Sequence, residues 1–279
     1  MTLRLGSTFN TALKYLILIV VSLIVMSPVL TAVLGSIRTN GEFLTTPFGL
    51  PTQGIQWANY LDILLDPIFW NLMKNSLFIT VAVTVLNIIL SSLLAFVFTR
   101  VQFRGRGFLF NVLSLGLLFP IVIAILPIFL QIRSLKLINS LWGVIFPLVA
   151  FGLPGSVVIL RGFFIHVPNE LEDASYIDGC TTWGFFIHIL LPLARPALTA
   201  VAVLQIIAAW NDYFVAYLVL NDPKLWPLTL GIQQFQGKYS TDFARIMAYV
   251  TLLVIPAILF YLFAEKYIVT GLTGGELKG

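Results

Sequence analysis

The spacing of charges constrains this chain more than any other feature. From Tyr15 to Ile37 there are 23 residues without Asp, Glu, Lys or Arg. Uncharged runs of 24, 26 and 24 residues follow at 76–99, 107–132 and 137–160. A helix rises 1.5 Å per residue, so each run can cross about 30 Å of hydrocarbon. Residues 196–221 form a fifth run interrupted only by Asp212, and 246–264 a sixth of 19 residues. The expected fold is an all-α integral membrane protein of six transmembrane helices, and 1–279 reads as a single transmembrane domain. The first run exceeds the 7–15-residue apolar core of a cleaved signal peptide. Only 10% of the 279 residues are charged, against about 25% in soluble domains.

The chain carries 16 Lys and Arg against 12 Asp and Glu. The basic residues are scattered between apolar blocks and form no stripe that could track phosphates, so nucleic acid is not an expected partner. They do orient the spans, because short cytoplasmic loops carry an excess of Lys and Arg. An even number of spans puts both termini on one side, with Arg4, Lys14, Arg100, Arg104, Arg106, Arg161, Arg195, Lys266 and Lys278. The other side holds Arg38, Lys74, Arg133, Lys136, Lys224, Lys238 and Arg245. The tight cluster Arg100, Arg104 and Arg106 marks the side of the termini as cytoplasmic. The outer segment 38–70 has turn signals at Pro47, Pro51 and Pro67, and aromatics Trp57, Tyr60, Phe69 and Trp70 suited to an interfacial belt.

Residues 166–192 form a cytoplasmic element with its own punctuation. Pro168 suits a first helical turn, and Glu170, Glu172 and Asp173 lie where the helix dipole favours acids. Gly179 is placed to end that helix, and Thr181 or Thr182 to cap a second one that stops at Pro192. A helix, a glycine turn and another helix are expected there.

The residues Pro168-Asn-Glu-Leu-Glu-Asp-Ala-Ser-Tyr-Ile-Asp-Gly179, nine more, then Ile189-Leu-Leu-Pro192 resemble the "EAA" loop of bacterial ABC-importer permeases. That pattern is Glu-Ala-Ala, three residues, Gly, nine residues, Ile, any residue, Leu-Pro. Asp173 stands where the family usually has Glu, and Ser175 replaces the second Ala beside Ala174. Trp210-Asn-Asp-Tyr213, Trp226-Pro-Leu-Thr-Leu-Gly-Ile-Gln-Gln-Phe235 and the tail Tyr267-Ile-Val-Thr-Gly-Leu-Thr-Gly-Gly275 are similar to the carbohydrate-uptake permeases, in particular the shorter, maltose-type second subunit. The resemblance implies a bacterial inner-membrane importer that translocates a mono- or oligosaccharide. Its partners would be a second, homologous permease subunit, two ABC ATPase subunits and an extracytoplasmic sugar-binding protein. Glu172, Asp173, Ala174, Ser175, Asp178, Gly179, Ile189, Leu191 and Pro192 would then form the ATPase-coupling loop. Ala174, Ser175 and Gly179 supply small positions for close approach, and Asp173 and Asp178 can meet donors on the partner.

Asp212 is the single acid inside an expected span. Intramembrane acids are costly and usually face a bundle interior or an aqueous path. With Gln205, Trp210 and Asn211 it could line a sugar route, or it could hydrogen-bond across the interface to the neighbouring permease subunit. Asn87, Ser91 and Ser92 form a further polar face suited to interhelical packing. His166 and His188 are too few and too far apart for a metal site or a catalytic triad, and Cys180 alone forms no disulfide within the chain. Pro28, Pro120, Pro127, Pro147, Pro154 and Pro256 lie within expected spans, as kinks or as tolerated residues. The only Gly-Lys, Gly237-Lys238, precedes Tyr239 and lacks the upstream glycine of a phosphate-binding loop. The chain is therefore not expected to be an enzyme or to hold a cofactor, with ATP and Mg on the partner ATPase. The alternative is an ion-coupled secondary sugar transporter, which should show internal repeats and more buried acids.

Overall fold

The computed structural model describes the backbone of residues 3–237 and 241–273, and the side chains of 11, 13–237 and 241–262. Lys238 and Lys278, counted among the orienting charges, lie outside the described residues, as do the side chains of Arg4, Lys266 and the 267–275 tail. Helices in chain order are α1 (Leu3–Ser36), α2 (Asn40–Thr45), α3 (Ala58–Leu65), α4 (Pro67–Arg100), α5 (Arg106–Leu115), α6 (Ile125–Ser134), α7 (Leu141–His166), α8 (Asn169–Ile177), α9 (Thr182–Phe185), α10 (Leu191–Leu193), α11 (Arg195–Trp210), α12 (Phe214–Val219) and α13 (Phe243–Thr273). Four stretches are long and apolar enough to cross a membrane: Leu13–Ser36, Pro67–Arg100, Leu141–His166 and Phe243–Leu262. A fifth candidate is the pair Thr182–Leu193 and Arg195–Trp210, bent by 76°. The protein is thus an all-helical membrane protein.

Over 107–132 and 196–221, each expected as one continuous span, the helix is broken. In the first, α5 tightens into a 3-10 turn at Gly116–Leu118, and α6 starts only at Ile125. Pro120 causes the break: it has no N–H to give, and it holds Phe119 in an extended conformation (ψ 109°). Pro127 falls in the first turn of α6, where a proline costs little. Pro28, Pro147, Pro154 and Pro256 are accommodated inside continuous helices. In the second, α11 ends at Trp210 and α12 begins at Phe214.

The chain divides into two compact units, residues 1–67 with 232–255, and residues 68–231 with 256–279. In the first, α1 exposes its apolar side chains from Leu13 to Leu30, a surface suited to lipid or another helix rather than water. Beyond it the outer segment is clasped on itself. Arg38 is fully buried, and its guanidinium donates to the carbonyls of Glu42 (3.0 Å) and Thr46 (2.7 Å) and to Thr46 Oγ1 (2.6 Å). Glu42 Oε1 accepts from the Thr52 hydroxyl, the Thr52 amide (2.6 Å) and the Gln53 amide (3.0 Å). Asn40 ties this clasp to the start of α13, donating to the Thr241 carbonyl (3.2 Å) and accepting from the Phe243 amide (2.9 Å).

The second unit holds two apolar clusters. One gathers Val83, Ile132, Val144, Val149, Ala209 and Val219, the other Ala95, Phe96, Val157, Leu160, Phe164 and Val201. Between these sets α4, α7 and α11 contribute Asn87, Gly152, Ser156 and Gln205, three polar side chains and a glycine. A thin polar layer therefore crosses the three helices between two greasy ones.

Candidate functional site

That polar layer sits where three helices approach closely. Gln205 Nε2 donates to Ser156 Oγ (3.1 Å), which donates in turn to the Gly152 carbonyl (3.0 Å). Asn87 Nδ2 reaches the Val149 carbonyl at 3.3 Å. A side chain at 152 would crowd this layer, because a Cβ there would lie 2.3 Å from Gln205 Oε1 and 2.7 Å from Asn87 Nδ2 and would force one of the amides to shift. Ser91 and Ser92 donate to carbonyls of their own helix, those of Ile88 and Ile89.

Beside the layer lies a cavity of about 330 Å³ whose lining includes Phe151, Gly152, Gln205, Asn211, Asp212 and Tyr213. Three of the four residues expected along a sugar route, Gln205, Asn211 and Asp212, thus meet at one cavity. Trp210 does not line it. It is 3% exposed and its ring lies edge-on to Phe260, centroids 5.5 Å apart. Trp210, five residues on from Gln205 in α11, falls on another face of that helix, and the cavity's aromatic walls come from Phe151, Tyr213 and Phe214 instead. Asp212 is also engaged with its own surroundings. Its carboxylate accepts from the amides of Val215 (3.3 Å) and Ala216 (3.0 Å) at the start of α12, while its carbonyl accepts from Thr229 Oγ1 (2.6 Å). An acid there satisfies N–H groups that a broken helix leaves free.

The second candidate site is 166–192. α8 ends in a turn at Gly179, whose φ of +83° is a conformation glycine adopts without steric cost. Thr181 Oγ1 then accepts from the Gly184 amide (3.1 Å) and caps the next helix. That helix changes to a π-turn over Phe186–Leu190 and runs past Pro192 to Leu193. Asp173, Ala174, Asp178 and Gly179 face outward, with Pro192, while Ile189 and Leu191 are half-buried. Ser175 does not face a partner as expected: it is 3% exposed and its hydroxyl donates to the Glu172 carbonyl (2.7 Å). Glu172 also turns inward, pairing with Arg100 at 3.3 Å. The exposed apolar tip of the element is Ile177, 87% exposed, with Leu171 and Trp183. The sequence does not single these out, because apolar residues on a short helix read as inward-facing. His166 and His188 accept or donate only to backbone of their own helices, at Gly162 and Gly184.

The model of the family described as binding-protein-dependent transport system inner membrane component matches residues 87–268. The diacetylchitobiose uptake system permease protein NgcG of Streptomyces coelicolor is 31% identical over 96% of this chain and 89% of its own length. The trehalose/maltose transport system permease protein MalG of Thermococcus litoralis is 34% identical over 94% of each. In fold, the chain is similar to a chain of a bacterial ABC transporter that imports the acidic polysaccharide alginate, with a TM-score of 0.81 at 22% identity, covering 94% of this chain and 97% of that one. The helical membrane architecture, the 166–192 element and these likenesses converge: the chain belongs to the family of binding-protein-dependent transport system inner membrane components, as a permease subunit of an ABC importer.

Proposed function

We propose that the chain moves a carbohydrate into the cytoplasm as one of two different permease subunits in an ATP-driven importer. Six segments cross the inner membrane, the third and fifth as broken helices, and both termini are cytoplasmic. A second, homologous permease subunit completes the pathway. An extracytoplasmic sugar-binding protein delivers the cargo. Two ABC ATPase subunits hold ATP and Mg and hydrolyse ATP, while this chain is not itself an enzyme. The relatives support a carbohydrate cargo through their named substrates, diacetylchitobiose, trehalose or maltose, and in Bacillus subtilis arabinooligosaccharides.

Residues 166–192 are the coupling loop. The observation that carries this is the outward presentation of Asp173, Ala174, Asp178 and Gly179 beside the apolar tip at Ile177, a compact surface of acids, small residues and exposed aliphatic area. Gln205, Asn211 and Asp212 contribute polar groups to the sugar route at the cavity. Planar polar side chains there pair with hydroxyls, and the rings of Phe151 and Tyr213 offer faces for the apolar side of a sugar.

Gly179→Trp tests the coupling loop. A Cβ at Gly179 meets nothing within 4 Å in this chain, and the φ of +83° strains any L residue there alike, so Gly179→Ala carries the strain without the bulk and isolates what the larger side chain does. Gly179→Trp is expected to insert normally yet lose ATPase copurification and uptake. Normal values for both would mean that the loop does not dock the ATPase.

A further inference from the structure

Arg100 ends α4 with a side chain only 5% exposed, although the sequence offers it merely as one of a loop cluster of arginines. Its guanidinium spans three elements. It donates to the carbonyls of Phe164 (3.0 Å) and Val167 (2.6 Å) at the end of α7, where helix carbonyls lack partners within the helix. It also donates to Asn169 Oδ1 and pairs with Glu172 Oε2 at 3.3 Å, both in the first turn of α8. Finally it lies 5.9 Å from the centroid of the Phe185 ring, which closes α9. A planar fork of five donors can hold this set, whereas a lysine ammonium acts as a point charge.

Of the nine residues of α8, Ser175 alone is buried. Burial therefore does little to fix α8, and beyond its two-residue connection to α7 the polar fork ties it to the ends of α4 and α7. By contrast, α4 and α7 stay together without Arg100, through Ala95, Phe96, Val157, Leu160 and Phe164. A separate arginine adds to this: Arg161 donates to the Phe98 carbonyl (3.5 Å) and lies 4.1 Å from the Phe110 ring centroid. We propose that Arg100 is a positioning residue that makes α8 and the adjoining ends of α4 and α7 move as one rigid body, so that displacement of the coupling loop reaches the membrane helices undiminished. This rests on the coupling-loop reading of 166–192.

The test uses Cys180, the one cysteine of the chain, which follows the turn glycine. Exposed Gln102, just past α4, is changed to Cys as a second label site. Pulsed EPR distances are measured in the complex with the partner permease and a cysteine-free ATPase, without nucleotide and after trapping with ADP, Mg and vanadate. With Arg100 in place the 102–180 distance should be the same in both states. In Arg100→Ala the complex should still assemble and hydrolyse ATP, but the distance should broaden and shift on trapping. Arg100→Lys should show the same trapping-dependent shift, since charge without the fork does not span the set, and this variant decides the matter if Arg100→Ala fails to assemble. A distance that trapping leaves unchanged in the variants would overturn the proposal. Absence of copurifying ATPase from the parent complex would instead reject the coupling-loop reading, before any variant is compared.

Discussion

Replacing Gly152 by Ala adds one methyl group at the tightest point among α4, α7 and α11. Its Cβ would stand 2.3 Å from Gln205 Oε1 and 2.7 Å from Asn87 Nδ2, inside any tolerable contact. Asn87 is fully buried and has no open space to move into, while Gln205, 8% exposed, can yield toward the cavity it lines only by giving up its bond to Ser156. Overpacking of this kind costs about 1–3 kcal/mol. Displacing Gln205 also breaks its bond to Ser156, a loss of roughly 0.6 kcal/mol for an interhelical bond in a membrane. Ala regains about 1 kcal/mol over Gly as a helix former. The net cost is about 2 kcal/mol, which corresponds to roughly a 30-fold faster loss of native complex if it acts wholly on the unfolding barrier. Gly155→Ala, three residues along the same helix, is the control: its Cβ would touch Leu117 at an ordinary 3.6 Å and should be neutral or slightly stabilising. The assay is the half-life of the assembled complex in detergent at a fixed temperature. Gly152→Ala combined with Gln205→Ala should recover part of the loss, a coupling expected of residues in contact. Equal half-lives for Gly152→Ala and Gly155→Ala, or no recovery in the double variant, would show that crowding at position 152 does not limit stability.

Asp212→Ala should destabilise the complex by about 0.5–2 kcal/mol through loss of the oxygen that accepts from the Val215 and Ala216 amides, while Asp212→Asn keeps an acceptor and should retain most of that stability. Changed uptake per assembled complex in Asp212→Asn would mark a role in the route, read by uptake normalised to assembly yield. The outer clasp should loosen in acid. The Thr52 hydroxyl and amide hold the Glu42 carboxyl below its ordinary value, opposed in part by burial. A depressed carboxylate contributes stability above its unfolded value of about 4.3 and loses it as the pH falls through the lowered folded value. Protease cleavage within 38–56 should therefore rise below about pH 4 in the parent, and Glu42→Gln should flatten that dependence.

The long helices were legible because hydrocarbon imposes a composition that charge spacing reveals directly. The breaks were less so. Apolarity is the same on both sides of Pro120, and only the lost N–H and the extended Phe119 separate α5 from α6. The break after Trp210 was not legible, since 196–221 is apolar apart from Asp212, whereas the facing of Trp210 follows from the period of α11: five residues on from Gln205 it points away from the face that Gln205, Ala208 and Ala209 turn to the cavity. The turn at Gly179 and the cap at Thr181 were readable from local chemistry, since each satisfies backbone groups within a few residues. The inward turn of Glu172 was not, because it depends on Arg100, 72 positions earlier in the chain. Likewise Gly152 looks like any glycine in a span until Asn87 and Gln205 are placed against it.

Above all, this chain should carry sugar only as part of an ATP-driven complex. The decisive experiment is uptake of radiolabelled maltose, trehalose and diacetylchitobiose by proteoliposomes. These contain the chain, its partner permease and the ATPase, with the binding protein outside and ATP enclosed. At least one of these sugars should accumulate in a way that requires enclosed ATP, fails when this chain is omitted, and persists when a protonophore collapses the ion gradient. Accumulation by this chain alone, without ATP and abolished by the protonophore, would instead mark an ion-coupled carrier and rule out ATP-driven import.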